Sequence, residues 1–210
     1  MTDRVMDARP TGAPAWLAPP PGFFLRPSTV LAPALLGCLL LTDREGGPTS
    51  GVIVETEAYT ADDPASHSFR GPTRRNRSMF GEGGIAYVYS IYGMHVCFNV
   101  VAGPRGAGEA VLVRALRPVD GLVEMQRRRG RPGARPASGP ALLCSALGIT
   151  MEDDGADLAA IPGKGPAILV PAAGITGATG VSARIGVTRA AEWPRRYYLS
   201  GNPFLSRRSP

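Results

Sequence analysis

A single domain in which strands are in the majority, with helices packed around them, is the fold predicted by this 210-residue chain. Three observations lead to it. The length suffices for one sizeable core, and neither an internal repeat nor a long linker divides it. Short runs rich in β-branched and aromatic residues recur along the chain, set apart by Gly and Pro. Helix start and stop signals bracket only a few segments, so the helices are left to pack around the strands.

Residues 1–22, rich in Pro, Ala and Gly and without a period, read as a mobile arm ahead of Phe23 and Phe24, which dock onto the core; residues 23–210 form the domain. Residues 29–36 read as a short helix stopped by Gly37, with Pro33 counting against it, and 38–42 as a strand. Residues 43–50 turn into a second strand, 51–59, whose alternation places Ile53, Glu55, Glu57 and Tyr59 on one face and Val52, Val54, Thr56 and Ala58 on the other. Residues 61–84 show no period and hold the run TRRNR, which makes them a long loop or short helices of the kind that often carries function. Residues 85–91 and 95–101 form a hairpin whose tip, Tyr92-Gly93-Met94, leaves Tyr92 exposed. A strand at 110–116 sets Arg114 on the face of Leu112 and Leu116, and Pro118 can open a helix towards Met125, followed by the basic stretch 127–136. A helix from Gly139-Pro140 runs through Leu147 and ends at Gly148; 167–170, 182–188 and 196–199 read as later strands.

The net charge of +6 is carried almost wholly by arginine, since Lys164 is the only lysine. With an isoelectric point near 9.7 this points to a polyanionic partner. Arginine suits bidentate phosphate contacts better than lysine, although a GC-rich genome would enrich arginine and alanine equally. Cys38, Cys97 and Cys144 are odd in number, far apart and never in a CxxC pair, which indicates neither a disulfide framework nor zinc. Two histidines make a metal centre a poor expectation. No stretch reaches the roughly 20 apolar residues of a membrane span, and the N-terminus lacks signal-peptide order, so a soluble, cytoplasmic protein is expected.

Residues 53–99 bring together the paired carboxylates Glu55 and Glu57, several tyrosines, His67 and an arginine run. Acid/base groups, stacking rings and phosphate-binding side chains are what a pocket for an extruded nucleobase requires. Each residue alone has an ordinary alternative: Tyr92 an exposed turn residue, His67 a capping histidine, Tyr89 a cross-strand aromatic, Arg127 to Arg131 a solvated face. Glu55 and Glu57 share the predicted face, and spacing does not choose between them.

An ordered series of motifs, ALLG at 34–37, VETEAY, PASHSFRG, PTRRNRSMF, YVYSIYGMHVCFNV, VLVRALRPVDG, SGPALLCSALGI, RIGV and GNPFLS, resembles the alkyladenine (methylpurine or 3-methyladenine) DNA glycosylase family over most of the chain. The resemblance implies a single mixed α+β domain around a curved antiparallel sheet, with surrounding helices and a protruding hairpin. It implies a monofunctional enzyme of base excision repair that flips alkylated, and by extension deaminated, purines out of double-stranded DNA and hydrolyses the glycosidic bond without a cofactor, acting as a monomer. On matching positions Glu57 is the general base, with Arg114 and the backbone carbonyl of Ile185 holding its water. Tyr59, His67 and Tyr89 would stack on the flipped base, Asn99 would clash with the 2-amino group of guanine, and Tyr92 would enter the duplex. Arg74, Arg75 and Arg77 would lie near the DNA backbone or brace the pocket loop. The chain departs from the family at Ala141-Leu142, where a small residue and a lysine are usual; Arg135 is the nearby candidate to replace that phosphate contact. A lyase route would have to use Lys164. Two other readings compete: a non-catalytic nucleic-acid-binding module, which does not require Glu57, and a nucleoside hydrolase, which explains neither the basic surface nor Tyr92.

Overall fold

β3, Gly47–Tyr59, is the strand about which the sheet is organised. The computed structural model describes residues 16–133, 135–159, 165–171 and 177–207; Lys164 and residues 1–15 of the expected arm lie outside them. β3 pairs antiparallel along one edge with β6, Glu109–Asp120, and along the other first with β2, Leu39–Arg44, and then with β9, Arg196–Leu199. β4, Ala86–Ile91, and β5, His95–Ala102, extend the sheet beyond β6. β7, Ala167–Pro171, joins β2 and also carries β1, Trp16–Leu17, while β8, Thr179–Ser182, pairs β9. Among the described residues the result is an open, nine-stranded antiparallel sheet with few helices, the mixed α+β class expected.

One face of the sheet carries the helices. α1, Ser28–Ala34, α2, Leu122–Arg129, and α3, Pro140–Leu147, pack with Leu31, Leu35, Ile53, Phe98, Val113, Leu116, Leu143 and Leu147 into the main core. Each such fully buried Leu or Phe contributes roughly 1.5–3 kcal/mol. α1 has Pro27 in place of a capping side chain, and its Ser28 N–H donates instead to Glu109 Oε2 at 2.7 Å. A carboxylate at that end also complements the helix dipole. Phe23 and Phe24 are buried in the same core, and α3 stops where expected, at Gly148 with φ 66°.

The strict alternation expected of β3 fails at one point, for a physical reason. Register breaks lie between Ile53 and Glu55 and between Glu55 and Thr56, where first β3 and then β6 supplies an unmatched residue. Such bulges turn a strand over locally. Ile53 therefore joins Ala58 in the helix-side core, with the Thr56 hydroxyl donating to Ala32, whereas Val52 and Val54 pack on the opposite side with Tyr198 and Leu205. On β6 the same break separates Arg114, which faces the cavity with Leu112, from Leu116, which is in the main core.

Other expectations are corrected as well. The turn placed at 43–50 is only Glu45-Gly46, because β2 and β3 pair out to Arg44 and Gly47. Pro118 opens no helix: it lies within β6 opposite Gly51, beyond the stretch where β5 pairs, an edge position that does not need its missing N–H. The strand placed at 182–188 ends at Ser182, because β9 supplies partners only that far. Arg128 is not part of a solvated face; its guanidinium bonds Glu124, Thr49 and the carbonyls of Glu45, Gly47 and Ala146, tying α2 to the β2–β3 turn and α3.

Candidate functional site

On the face opposite the helices the sheet holds a cavity of about 420 Å³, within the range of ligand pockets. Its walls come from β3 (Tyr59), β4 (Tyr87, Tyr89), β5 (Cys97, Asn99), β6 (Leu112, Arg114), the 61–84 loop (His67) and the loop after β8 (Ile185). Strand alternation explains the gathering: every second residue of β4 and β5 points the same way, so Tyr87 and Tyr89 stand beside Cys97 and Asn99.

Glu57 is fully buried behind this wall, where it accepts two hydrogen bonds and forms one ion pair. Tyr59 Oη donates to Oε2 at 2.9 Å, Arg114 Nη1 lies 3.2 Å from the same oxygen, and the Ile185 N–H donates to Oε1 at 2.8 Å. Glu55 is buried as well, but its partners are Arg114 Nε, Arg196 Nε and Ser206, whereas Glu57 bonds the cavity residues Tyr59 and Ile185. The structure thus separates the two carboxylates that spacing left equivalent. Ile185, expected to act through its carbonyl, meets Glu57 through its N–H.

The rings form a connected wall. His67 meets Tyr89 edge to face at 4.5 Å, and Tyr87 and Tyr89 lie 5.4 Å apart with planes inclined by 30°. Burial pushes the Tyr59, Tyr87 and Tyr89 phenols well above their ordinary value, Tyr59 further through Glu57, so all three stay neutral. His67 Nδ1 is 2.8 Å from Tyr87 Oη, and Asn76 Nδ2 donates to the His67 carbonyl, which fixes the loop on the sheet. The outer edge of His67 is exposed, yet packing of its ring and the nearby Arg75 guanidinium lower its proton affinity. The neutral imidazole is therefore the form held near pH 7. A histidine harder to protonate when folded stabilises fully above about pH 6.5 and loses that contribution as pH falls through its lower folded value. We expect the melting temperature to drop less between pH 7.5 and 5.5 in His67→Gln than in the parent, measured by calorimetry in matched buffers.

Asn99 lies in the cavity wall with its Nδ2 donating to the Tyr87 carbonyl, which leaves its carboxamide orientation fixed. Tyr92 stands away from the cavity at the hairpin tip, 89% exposed. Arg74, Arg75 and Arg77 are all exposed; Arg75 alone braces the site, donating to the Ser90 carbonyl with its guanidinium 5.9 Å from the Tyr89 ring centre. Arg135 is exposed, bonds the Leu205 carbonyl at 2.6 Å and does not line the cavity. Ala141 and Leu142 follow Pro140, which does.

Sequence reasoning missed several residues of this region. Tyr87 anchors His67, and its signal was the alternation of the YVYS run. Asp63, fully buried, holds Arg184 through both terminal nitrogens, and Arg184 lies 4.6 Å from the Tyr59 ring on the way to Ile185. Among the described residues no group of His, Cys, Asp and Glu is placed to hold a metal ion, and no helix is long and apolar enough to cross a membrane. The three cysteines are buried and unpaired with one another.

A family model described as methylpurine-DNA glycosylase matches residues 22–203. A protein of Methanoculleus marisnigri named "Putative 3-methyladenine DNA glycosylase" is 50% identical over 190 residues, covering 90% of this chain and 98% of that relative. Proteins of the same name from Granulibacter bethesdensis and Rhodopseudomonas palustris are 51% and 46% identical, covering 89% and 90% of this chain and 86% and 87% of their own lengths. The chain belongs to the methylpurine-DNA glycosylase family.

Proposed function

We propose that this chain is a monofunctional hydrolase that flips alkylated purines out of duplex DNA into the tyrosine-lined cavity and cleaves their glycosidic bonds. The observation that carries the reading is Glu57, a buried carboxylate held by Arg114, Tyr59 and the Ile185 N–H directly behind that cavity. A carboxylate has about four acceptor positions. Tyr59 and the Ile185 N–H take two of them, with Arg114 paired beside Oε2, which leaves acceptor capacity for a water brought in with the base. Glu57 would take a proton from that water as its oxygen bonds to C1′ of the sugar. The electron pair of the glycosidic bond leaves with the purine, giving a free base and an abasic site. The carboxylate also favours the oxocarbenium-like sugar.

Alkylation at N3 or N7 makes a purine cationic, and neutral tyrosine faces attract a cation more than a neutral base. Asn99, its carboxamide fixed by the Tyr87 carbonyl, would exclude the 2-amino group of guanine by collision. Deaminated purines would enter the same cavity, with the leaving base then requiring protonation. Base release from duplex DNA tests the reading: methylated purine, hypoxanthine and an undamaged control are compared in single turnover. Release from the lesions alone is expected, and equal release from all three or from none would remove it.

Tyr92 would act as the wedge that fills the gap. It is exposed and also holds φ 52°, with Gly93 at φ 70°, and the Met94 N–H closes the turn onto the Ile91 carbonyl. A bulky residue rarely occupies the left-handed region, and such cost is concentrated where a residue is presented for a purpose. Stacking of one base on an aromatic ring is worth about 1–3 kcal/mol. Tyr92→Ala should weaken capture of a lesion in duplex by roughly ten-fold more than capture of the same lesion in a single strand. Equal losses on the two substrates would remove the wedge assignment.

A further inference from the structure

The GNPFLS segment at 201–206 is a motif of this chain that the reaction leaves unused. The fold gives it a definite course. Asn202 Oδ1 accepts the Phe204 N–H at 3.0 Å, and Leu205 is buried against Val54 and Tyr198. The turn delivers Ser206 to Glu55: its N–H donates to Oε2 at 2.6 Å and its hydroxyl donates to Oε1 at 2.8 Å. Arg135 holds the turn down from outside through the Leu205 carbonyl.

We propose that Ser206 and Glu55 are positioning residues that aim Arg114 at Glu57, an inference that rests on the glycosylase reading above. A guanidinium is planar and rigid, so fixing one edge fixes the direction of the remaining nitrogen. Arg114 Nε donates to Glu55 at 3.1 Å and Nη2 to the Ser206 hydroxyl at 3.4 Å, which clamps one edge. Nη1 is left 3.2 Å from Glu57. Arg196 completes the set by donating to Glu55 at 2.8 Å. The buried charges then alternate, Arg196, Glu55, Arg114, Glu57, and sum to zero. Without Arg196, two carboxylates would share the single cation Arg114.

Ser206 is the residue to change, because it is partly exposed and Ala leaves its N–H on Glu55 intact. Displacing a catalytic group by a fraction of an ångström is felt mainly in rate. Single-turnover release of a methylated purine is read beside affinity for a duplex with a stable abasic analogue. Ser206→Ala is expected to slow release by roughly 3- to 10-fold at unchanged affinity and unchanged melting temperature, and Ser206→Thr, which restores the hydroxyl, to recover it. Glu55→Gln should slow release further in the same direction. Wild-type release matched by Ser206→Ala, or a slow Ser206→Ala that Thr does not rescue, overturns the positioning role while leaving the glycosylase reading standing. A wild-type protein that releases no base overturns both.

Discussion

Glu57→Gln should lower single-turnover base release by about 10²- to 10⁴-fold, the usual contribution of a positioned general base, while lesion-containing duplex still binds. The amide keeps the shape of the carboxylate but carries a single acceptor oxygen. Tyr59, Arg114 and the Ile185 N–H all point donors at this side chain, so at least one of them faces an amide NH₂. That unpaired contact costs about 1–3 kcal/mol of stability, a fall of roughly 2–12 °C in melting temperature for a chain of this size. The measurement therefore pairs release kinetics with binding and melting of the same sample. Retained binding with lost release identifies Glu57 as the base. Loss of both in proportion would make it a structural carboxylate, and unchanged release would move the chemistry to another group. A wild-type protein that binds lesions without releasing base would instead support the non-catalytic module.

How much of this was legible depends on range along the chain. The hairpin with Tyr92 at its tip, the helix ended by Gly148 and the placing of Glu57 and Tyr59 on one face of β3 follow from local patterns that the fold keeps. Ile53 and Leu116 were assigned to the wrong face because a bulge is a two-strand event: only the β3–β6 pairing shows where each strand carries its unmatched residue. The ion pairs around the site are harder still. Asp63 and Arg184 are 121 residues apart and Glu55 and Ser206 are 151 apart, and no local period encodes such a meeting. The family resemblance carried Glu57 ahead of Glu55; in the structure Glu57 bonds the cavity residues Tyr59 and Ile185 while Glu55 clamps the far edge of Arg114. Arg128, which composition suggested was one more surface charge, is bound by five groups from four parts of the fold.

Asp63→Ala should be the most destabilising single change near the site, and it should loosen the pocket as well as the fold. The Asp63 and Arg184 side chains have no solvent exposure, and the Asp63 carboxylate also holds the Ala65 N–H and Arg195 Nη1. Removing it leaves the Arg184 cation buried without a directly bonded carboxylate, against the Ala58 and Ala190 carbonyls and the Tyr59 ring. Breaking a buried pair in this way costs about 3–5 kcal/mol, or roughly 6–20 °C in melting temperature. Arg184 is also the residue before Ile185, so relief of its strain by swinging outward would carry the Ile185 N–H away from Glu57 and the guanidinium away from Tyr59. Release should then slow even at temperatures where the variant remains folded. The companion Asp63→Leu/Arg184→Met, which removes both charges, should regain part of the stability, because apolar side chains of similar volume often replace a buried pair at little cost. It should not regain the rate, since nothing then anchors the loop that presents Ile185. A single variant that melts within about 1 kcal/mol of the parent would show that Arg184 reaches solvent without the carboxylate. The pair would then be ornamental to the fold, and the position of Ile185 would have to come from the loop backbone alone.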